Sequence, residues 1–191
     1  MHDVANRVVS YDSEELILVD ADDTEVGSMN KADCHDGDGI LHRAFSLFLF
    51  NDEGELLLQQ RSADKRLWPL FWSNTCCSHP RVGEDMSTAT KRRLAEELGV
   101  DAELEFVYKF SYQARFGDVG SENELCWVFL GHCKDSPRVN ETEISAVRFV
   151  SVADLNEDLI SRPEIYTPWF KMEWQRLQDE HAEIFRTYTH G

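Results

Sequence analysis

The chain has 191 residues, 42% of them hydrophobic and 29% charged, which suits one domain with a sizeable core. Asp and Glu number 36 against 19 Lys and Arg, a formal charge of −17, and so acidic a balance excludes nucleic acid and anionic membrane as partners, since both need basic faces. No apolar run is long enough for a transmembrane helix.

The opening ten residues are polar and lack the apolar core of a signal peptide. The five cysteines (Cys34, Cys76, Cys77, Cys126, Cys133) are odd in number and two are adjacent. That pattern fits reduced thiols in the cytoplasm better than a secreted disulfide framework. The expectation is a cytoplasmic protein, monomeric or weakly dimeric.

In chain order, residues 16–19 form a short apolar strand ending in the acidic turn at Asp20 to Asp23. Residues 44–50 are strongly apolar, Asn51-Asp52-Glu53-Gly54 interrupts, and residues 55–60 resume, which predicts a hairpin with two strand arms. Residues 67–80 are aromatic, rich in cysteine and carry two prolines, too apolar for surface filler. A helix capped by Asp85 or Ser87 is expected to run to Leu98 and stop at Gly99, with Met86, Thr90, Leu94 and Leu98 as its packing stripe. Strands follow at 106–116, 125–133 and 147–150, then a short helix at 151–159. Pro168 opens a final helix through about Phe185, with Phe170, Leu177, His181 and Ile184 on one face. Strands interspersed with a few helices predict a mixed α/β or α+β sandwich.

Two constellations carry chemistry. From Ser78 to Val100 the chain resembles the Nudix box, G-x5-E-x7-R-E-U-x-E-E-x-G-U, with Glu84, Arg92, Leu94, Glu96, Glu97, Gly99 and Val100 in register. Ser78 replaces its first glycine and Arg93 replaces a glutamate. In Nudix hydrolases the glutamate cluster holds the metals that polarise a pyrophosphate bond. Arg93 converts part of that cradle into a phosphate clamp, one turn from Glu97, the carboxylate for a Mg²⁺. Alone, such a pair would be a surface ion pair worth a few tenths of a kcal/mol; seven matching positions favour a site.

The second constellation is His35, His42 and His79 with Glu122-Asn123-Glu124. The two glutamates alternate to one face of a strand, and three imidazoles with carboxylates suit Zn²⁺ or Mn²⁺. By spacing alone the signal is weak. Cys77, two residues before His79, sits where a thiol is readily activated; Cys76 is a competing neighbour, and the residues alone leave the choice open.

Together these residues resemble type 1 isopentenyl-diphosphate isomerases. The matching segments are His35 to His42 and the following Arg43-Ala44-Phe45-Ser46, Phe50 to Leu57, Gln60-Arg61 with Lys65, Trp68-Pro69 through Trp72, Asn74 and Cys77 to His79-Pro80, then the helix, Glu122-Asn123-Glu124 and Thr167-Pro168-Trp169. They span about residues 16–175. The resemblance implies a Nudix-type α/β/α sandwich with a mixed sheet, divided as an N-terminal extension (1–39), a Nudix domain (40–175) and a C-terminal helix and tail (176–191).

It also implies the site. His35, His42, His79, Glu122 and Glu124 become ligands of one Mn²⁺, Zn²⁺ or Mg²⁺, and Glu97 that of a Mg²⁺ accompanying the diphosphate. Cys77 and Glu124 become an acid–base pair, assisted by Tyr112. Lys31, Arg61, Lys65 and Arg93 become the phosphate-binding cations, and Trp169 the ring facing a carbocation. The implied activity interconverts isopentenyl and dimethylallyl diphosphate. The alternative is a Nudix hydrolase of a nucleoside diphosphate derivative, which Arg93 disfavours. A non-catalytic binding module would not need every one of these reactive side chains.

Overall fold

The computed structural model describes residues 7–190. The first six residues and Gly191 lie outside it, and with them most of the reading of the polar N-terminus and the last residue of the tail.

Among the described residues, nine strands form one mixed sheet: β1 (Glu15–Val19), β2 (Glu25–Asn30), β3 (His42–Phe50), β4 (Leu56–Arg61), β5 (Trp72–Ser73), β6 (Cys76–Ser78), β7 (Leu104–Phe116), β8 (Gly120–His132) and β9 (Ile144–Val150). The helices are a single turn α1 (Lys31–Cys34), α2 (Met86–Leu98), α3 (Val152–Ser161), α4 (Pro168–Asp179) and α5 (Ala182–Thr189). The α+β class and the sandwich are as expected.

β3 organises the sheet. Residues 44–50 are all buried, as a strand covered on both faces requires. Ala44, Phe48 and Phe50 pack towards α4 and α5, while Phe45, Leu47 and Leu49 pack towards α2. One edge of β3 pairs in parallel with β8 along its whole length, from His42↔Glu124 to Phe50↔His132. The other edge is shared by β1, β6 and β4.

That sharing corrects the predicted hairpin. β3 and β4 pair only at Phe50↔Leu56, and β4 then turns to β5 and β9. β6 fills the space opened, pairing Phe45↔Ser78, Ser46↔Cys77 and Leu47↔Cys76. The aromatic segment at 67–80 therefore contains two short strands, and it brings Cys77 to the middle of the sheet.

α2 follows its signals. Asp85 caps it through Thr88 N, and Gly99 ends it at φ 62°, a left-handed conformation that glycine adopts freely. Its packing stripe is wider than predicted: Ala89, Arg93 and Glu97 are buried beside Thr90, Leu94 and Leu98, while Met86 is half-buried. The predicted last helix is two, broken at Glu180–His181, because Phe185 turns back to pack on Phe50 and Trp174. Strand β2 and turn α1 lack a strong periodic signal and were not foreseen; β2 is largely exposed.

Candidate active site

Three strand ends and one helical turn converge on a single cluster. β8 carries Glu122 and Glu124 on one face, two residues apart; β3 begins with His42, directly opposite Glu124; the segment after β6 supplies His79; His35 caps the C-terminal end of α1. Gly120 lets α1 lie against β8, since a Cβ there would stand 2.3 Å from the His35 carbonyl oxygen. Ser121 N–H donates to that same oxygen at 3.0 Å.

The rings are aimed by their backbones. His35 Nδ1 donates to the Lys31 carbonyl at 2.6 Å and His42 Nδ1 to the Ile40 carbonyl at 2.7 Å. Carbonyls only accept, so these tautomers leave both Nε2 lone pairs pointing at the cluster. There His42 Nε2 meets His79 Nε2 at 3.1 Å, and His79 Nε2 lies 2.9 Å from Glu124 Oε1. One ligand atom from each of His35, His42, His79, Glu122 and Glu124 falls within 4.8 Å of all the others. Glu122 Oε2 lies 2.8 Å from His35 Nε2 yet, though buried, makes no aligned hydrogen bond. Converging lone pairs with a misaligned buried carboxylate oxygen make a donor set that could hold a divalent cation. The five predicted ligands are thus brought together.

Burial raises the Glu124 carboxyl, but bonds to His42 and His79 overcome it and hold the group well below the usual range. Burial pushes His79 down to about 4, leaving it a neutral imidazole. Tyr112, opposite Glu124 on β7, donates its hydroxyl to Glu124 Oε2 at 2.6 Å. Burial and then the Glu124 charge keep that phenol protonated.

His35, His79, Glu122 and Glu124 of the cluster line a cavity of about 400 Å³. Cys77, Arg61, Lys65, Lys31 and Trp169 line it with Arg93 and Glu143. Cys76 and Cys77 point to opposite faces: Cys76 packs in the core beneath α2, whereas the Cys77 sulfur faces the cavity, 3.8 Å from Arg61 Nη1. The expectation of a readily ionised Cys77 is corrected: burial pushes its thiol up to about 12, with Arg61 opposing, so the sulfur is a thiol at rest. Trp169 is anchored by its indole N–H to Ser73 Oγ at 3.1 Å, with the Arg61 guanidinium 5.2 Å from its ring centroid.

The cations gather despite the acidic chain. Lys31 is lowered to about 8 by burial, then by Lys65 and Arg93. Arg93 donates through Nε to Glu97 Oε1 at 2.9 Å and through Nη2 to Glu143 Oε2 at 3.1 Å. Glu97 and His42 stand behind the cavity wall rather than lining it. Glu143, which also pairs with Lys65, was missed, as was the segment around Ser10 and Asp12 at the cavity edge. Nothing in sequence spacing connects Glu143 to this cluster.

Residues 40–170 match the NUDIX domain family model. The isopentenyl-diphosphate Delta-isomerase 1 of Photorhabdus laumondii is 45% identical over 172 residues, covering 89% of this chain and 98% of that protein. The isopentenyl-diphosphate Delta-isomerase of Pectobacterium atrosepticum is 37% identical, over 86% and 92% of the two chains. Among solved structures, a Deinococcus radiodurans protein superposes with a TM-score of 0.67 at 21% identity, covering 93% of this chain and all of the other. A MutT protein of Methanosarcina mazei gives 0.60 at 18% identity, over 74% and 95%. At those identities the two structures speak to the fold.

Proposed function

The chain belongs to the NUDIX family and, within it, to the isopentenyl-diphosphate Delta-isomerases, and on that premise we propose how its residues divide the reaction. It is an isomerase of isoprenoid biosynthesis, interconverting isopentenyl and dimethylallyl diphosphate. The hydrolase alternative is not favoured by these relatives, and the glutamate that Arg93 replaces is the one that reading needs.

The observation that carries the assignment is that Cys77 and the Tyr112–Glu124 pair line one cavity together with a cluster of cations. The substrate alkene is unactivated, so its isomerisation begins with protonation of the terminal carbon. Glu124, ionised at rest, first takes up a proton and, bonded to Tyr112, delivers it to that carbon, leaving a tertiary carbocation. Cys77 removes a proton from the neighbouring carbon; the C–H electron pair becomes the new double bond. In the reverse direction the two groups exchange roles. Trp169 presents a π face to the cation, an interaction worth about 2 kcal/mol or more when desolvated. Trp68, edge-on to Trp169 at 5.2 Å, helps exclude the water that would trap the cation.

His35, His42, His79, Glu122 and Glu124 would hold one divalent ion, Mn²⁺, Zn²⁺ or Mg²⁺. When bound, that ion supplies positive charge beside the Glu124 carboxyl, favouring release of its proton. Lys31, Arg61, Lys65 and Arg93 bind the diphosphate, and Glu97, which Arg93 holds behind the cavity wall, would be the carboxylate for a Mg²⁺ arriving with it once that ion pair opens. Short-range attraction from these groups outweighs the diffuse acidity of the chain. Five free cysteines suit the reducing cytoplasm.

The test is Cys77→Ala and Glu124→Gln in D₂O with isopentenyl diphosphate, followed by NMR. Each variant should lose deuterium incorporation and isomerisation while still binding inorganic diphosphate. Normal turnover by Cys77→Ala would refute the assignment.

A further inference from the structure

One buried carboxylate on the cavity wall has no part in the reaction above. Glu143 stands just before β9 and is 3% exposed. Its Oε2 accepts from two cations that come from different parts of the chain, the Lys65 ammonium and Arg93 Nη2, the latter at 3.1 Å. Its main chain is fixed as well: the Glu143 N–H donates to the Asn140 carbonyl at 3.0 Å, and the Glu143 carbonyl accepts from Ser62 N–H at 2.9 Å. Ser62 opens the turn that closes with Lys65 N–H on the Ser62 carbonyl at 3.2 Å. Glu143 thus holds this turn by its backbone and the Lys65 side chain by its carboxylate.

Arg93 in turn is held on every side. Its Nε donates to Glu97 Oε1 at 2.9 Å, its Nη1 to the Val9 carbonyl at 3.1 Å and Glu96 Oε2 at 3.2 Å, and its Nη2 to Glu97 Oε1 and Glu143 Oε2. A guanidinium has five N–H bonds, and here each one has an acceptor. Being a planar fork and 3% exposed, it is a fixed post for Glu143. Lys65 is its opposite, a flexible four-carbon stem whose side chain is 23% exposed. Lys31, Arg61 and Arg93 line the same cavity, and their charges repel its ammonium. Left untethered, Lys65 would lose rotamer freedom each time a ligand fixed it.

We infer that Glu143 is a positioning residue for diphosphate binding: pinned by Arg93, its carboxylate holds the Lys65 ammonium at the cavity wall, leaving the other N–H bonds of that ammonium to meet a phosphate oxygen. This rests on Lys65 as a phosphate-binding cation. Glu143 acts by reach rather than by charge, since a negative charge beside an anion opposes its binding. What it contributes is a cation already in place when the substrate arrives. The residue touches Lys65 and Arg93 and none of the groups that move a proton, so its effect falls on binding.

The experiment measures kcat and KM for isopentenyl diphosphate, and Kd for inorganic diphosphate by calorimetry, in Glu143→Asp, Glu143→Gln and Lys65→Ala. Aspartate keeps the charge but is one methylene short of Lys65, so KM and Kd should rise about tenfold with kcat within about twofold. Glutamine keeps the length and an acceptor oxygen without the charge, and should hold both constants within about threefold of the parent. A merely structural role would neither confine the loss to KM nor rank Gln above Asp. The cost of Glu143→Asp should also vanish once Lys65 is already Ala. Should Glu143→Asp fail to fold, Glu143→Met, similar in length but without an oxygen, takes its place with the same expectation. Parental constants in Glu143→Asp, or diphosphate bound more than about threefold tighter by Glu143→Gln, overturn the inference. If Lys65→Ala weakens binding while Glu143→Asp does not, the positioning role alone falls; if Lys65→Ala binds as the parent does, the reading of Lys65 as a phosphate cation falls.

Discussion

Tyr112 and Glu124 face each other in register across the β7–β8 ladder, and the phenol donates to Glu124 Oε2 at 2.6 Å while His79 holds Oε1 at 2.9 Å. The carboxylate that must trade a proton is therefore gripped at both oxygens. Removing the phenol donor leaves the imidazole side of the carboxylate untouched. Tyr112→Phe should lower kcat about ten- to hundredfold with little change in KM, because the lost bond is to a charged group in a dry site. Steady-state isomerisation kinetics would show it. An unchanged kcat would remove Tyr112 from proton delivery.

The imidazole and carboxylate cluster should hold one divalent ion per chain. Elemental analysis of the purified protein, before and after dialysis against a strong chelator, measures this. Stripped protein should lose turnover and recover it with Mn²⁺, Zn²⁺ or Mg²⁺. His42→Ala should lose the ion, since His42 is wholly buried and its Nε2 can serve little else. Full occupancy in that variant would contradict the ligand set.

Diphosphate affinity should respond to the lysine near its titration point. Lys31 is lowered to about 8 by burial, then by Lys65 and Arg93. As pH rises through that value the ammonium discharges, so kcat/KM should fall on the alkaline side. Lys31→Arg, which stays charged, should remove that limb. A profile identical in parent and variant would show that Lys31 does not bind substrate. Arg61→Ala and Lys65→Ala should raise KM about tenfold or more, with a steeper loss at high salt.

Stability should carry the mark of Glu173. Its folded-state value is raised from 4.5 to about 8 by burial, then by repulsion from Glu124. The raised group favours the folded state most fully below 4.5, and that contribution fades as pH climbs to about 8. Glu173→Gln has no such proton to lose. Urea unfolding at pH 5 and pH 9 should show the parent losing roughly 3–5 kcal/mol more than the variant across that span. Equal losses would mean that Glu173 is not held neutral.

Much of this protein is legible without coordinates. The β3 run, the capped helix from Met86 to Leu98 and the strands β7 to β9 announce themselves by local apolar patterning, capping residues and glycine stops. The histidines, paired glutamates and Nudix-like register are likewise visible in the order of residues. What order does not contain is the partnering of distant segments. That β6 would wedge between β3 and β4, turning Cys77 to the cavity and Cys76 to the core, depends on strand pairing. So does the meeting of Glu143 with Arg93, and of Glu173 with Ser46 and Cys126. Local propensity is written in neighbouring residues, whereas the environment that decides a proton's place is assembled from residues far apart in the chain.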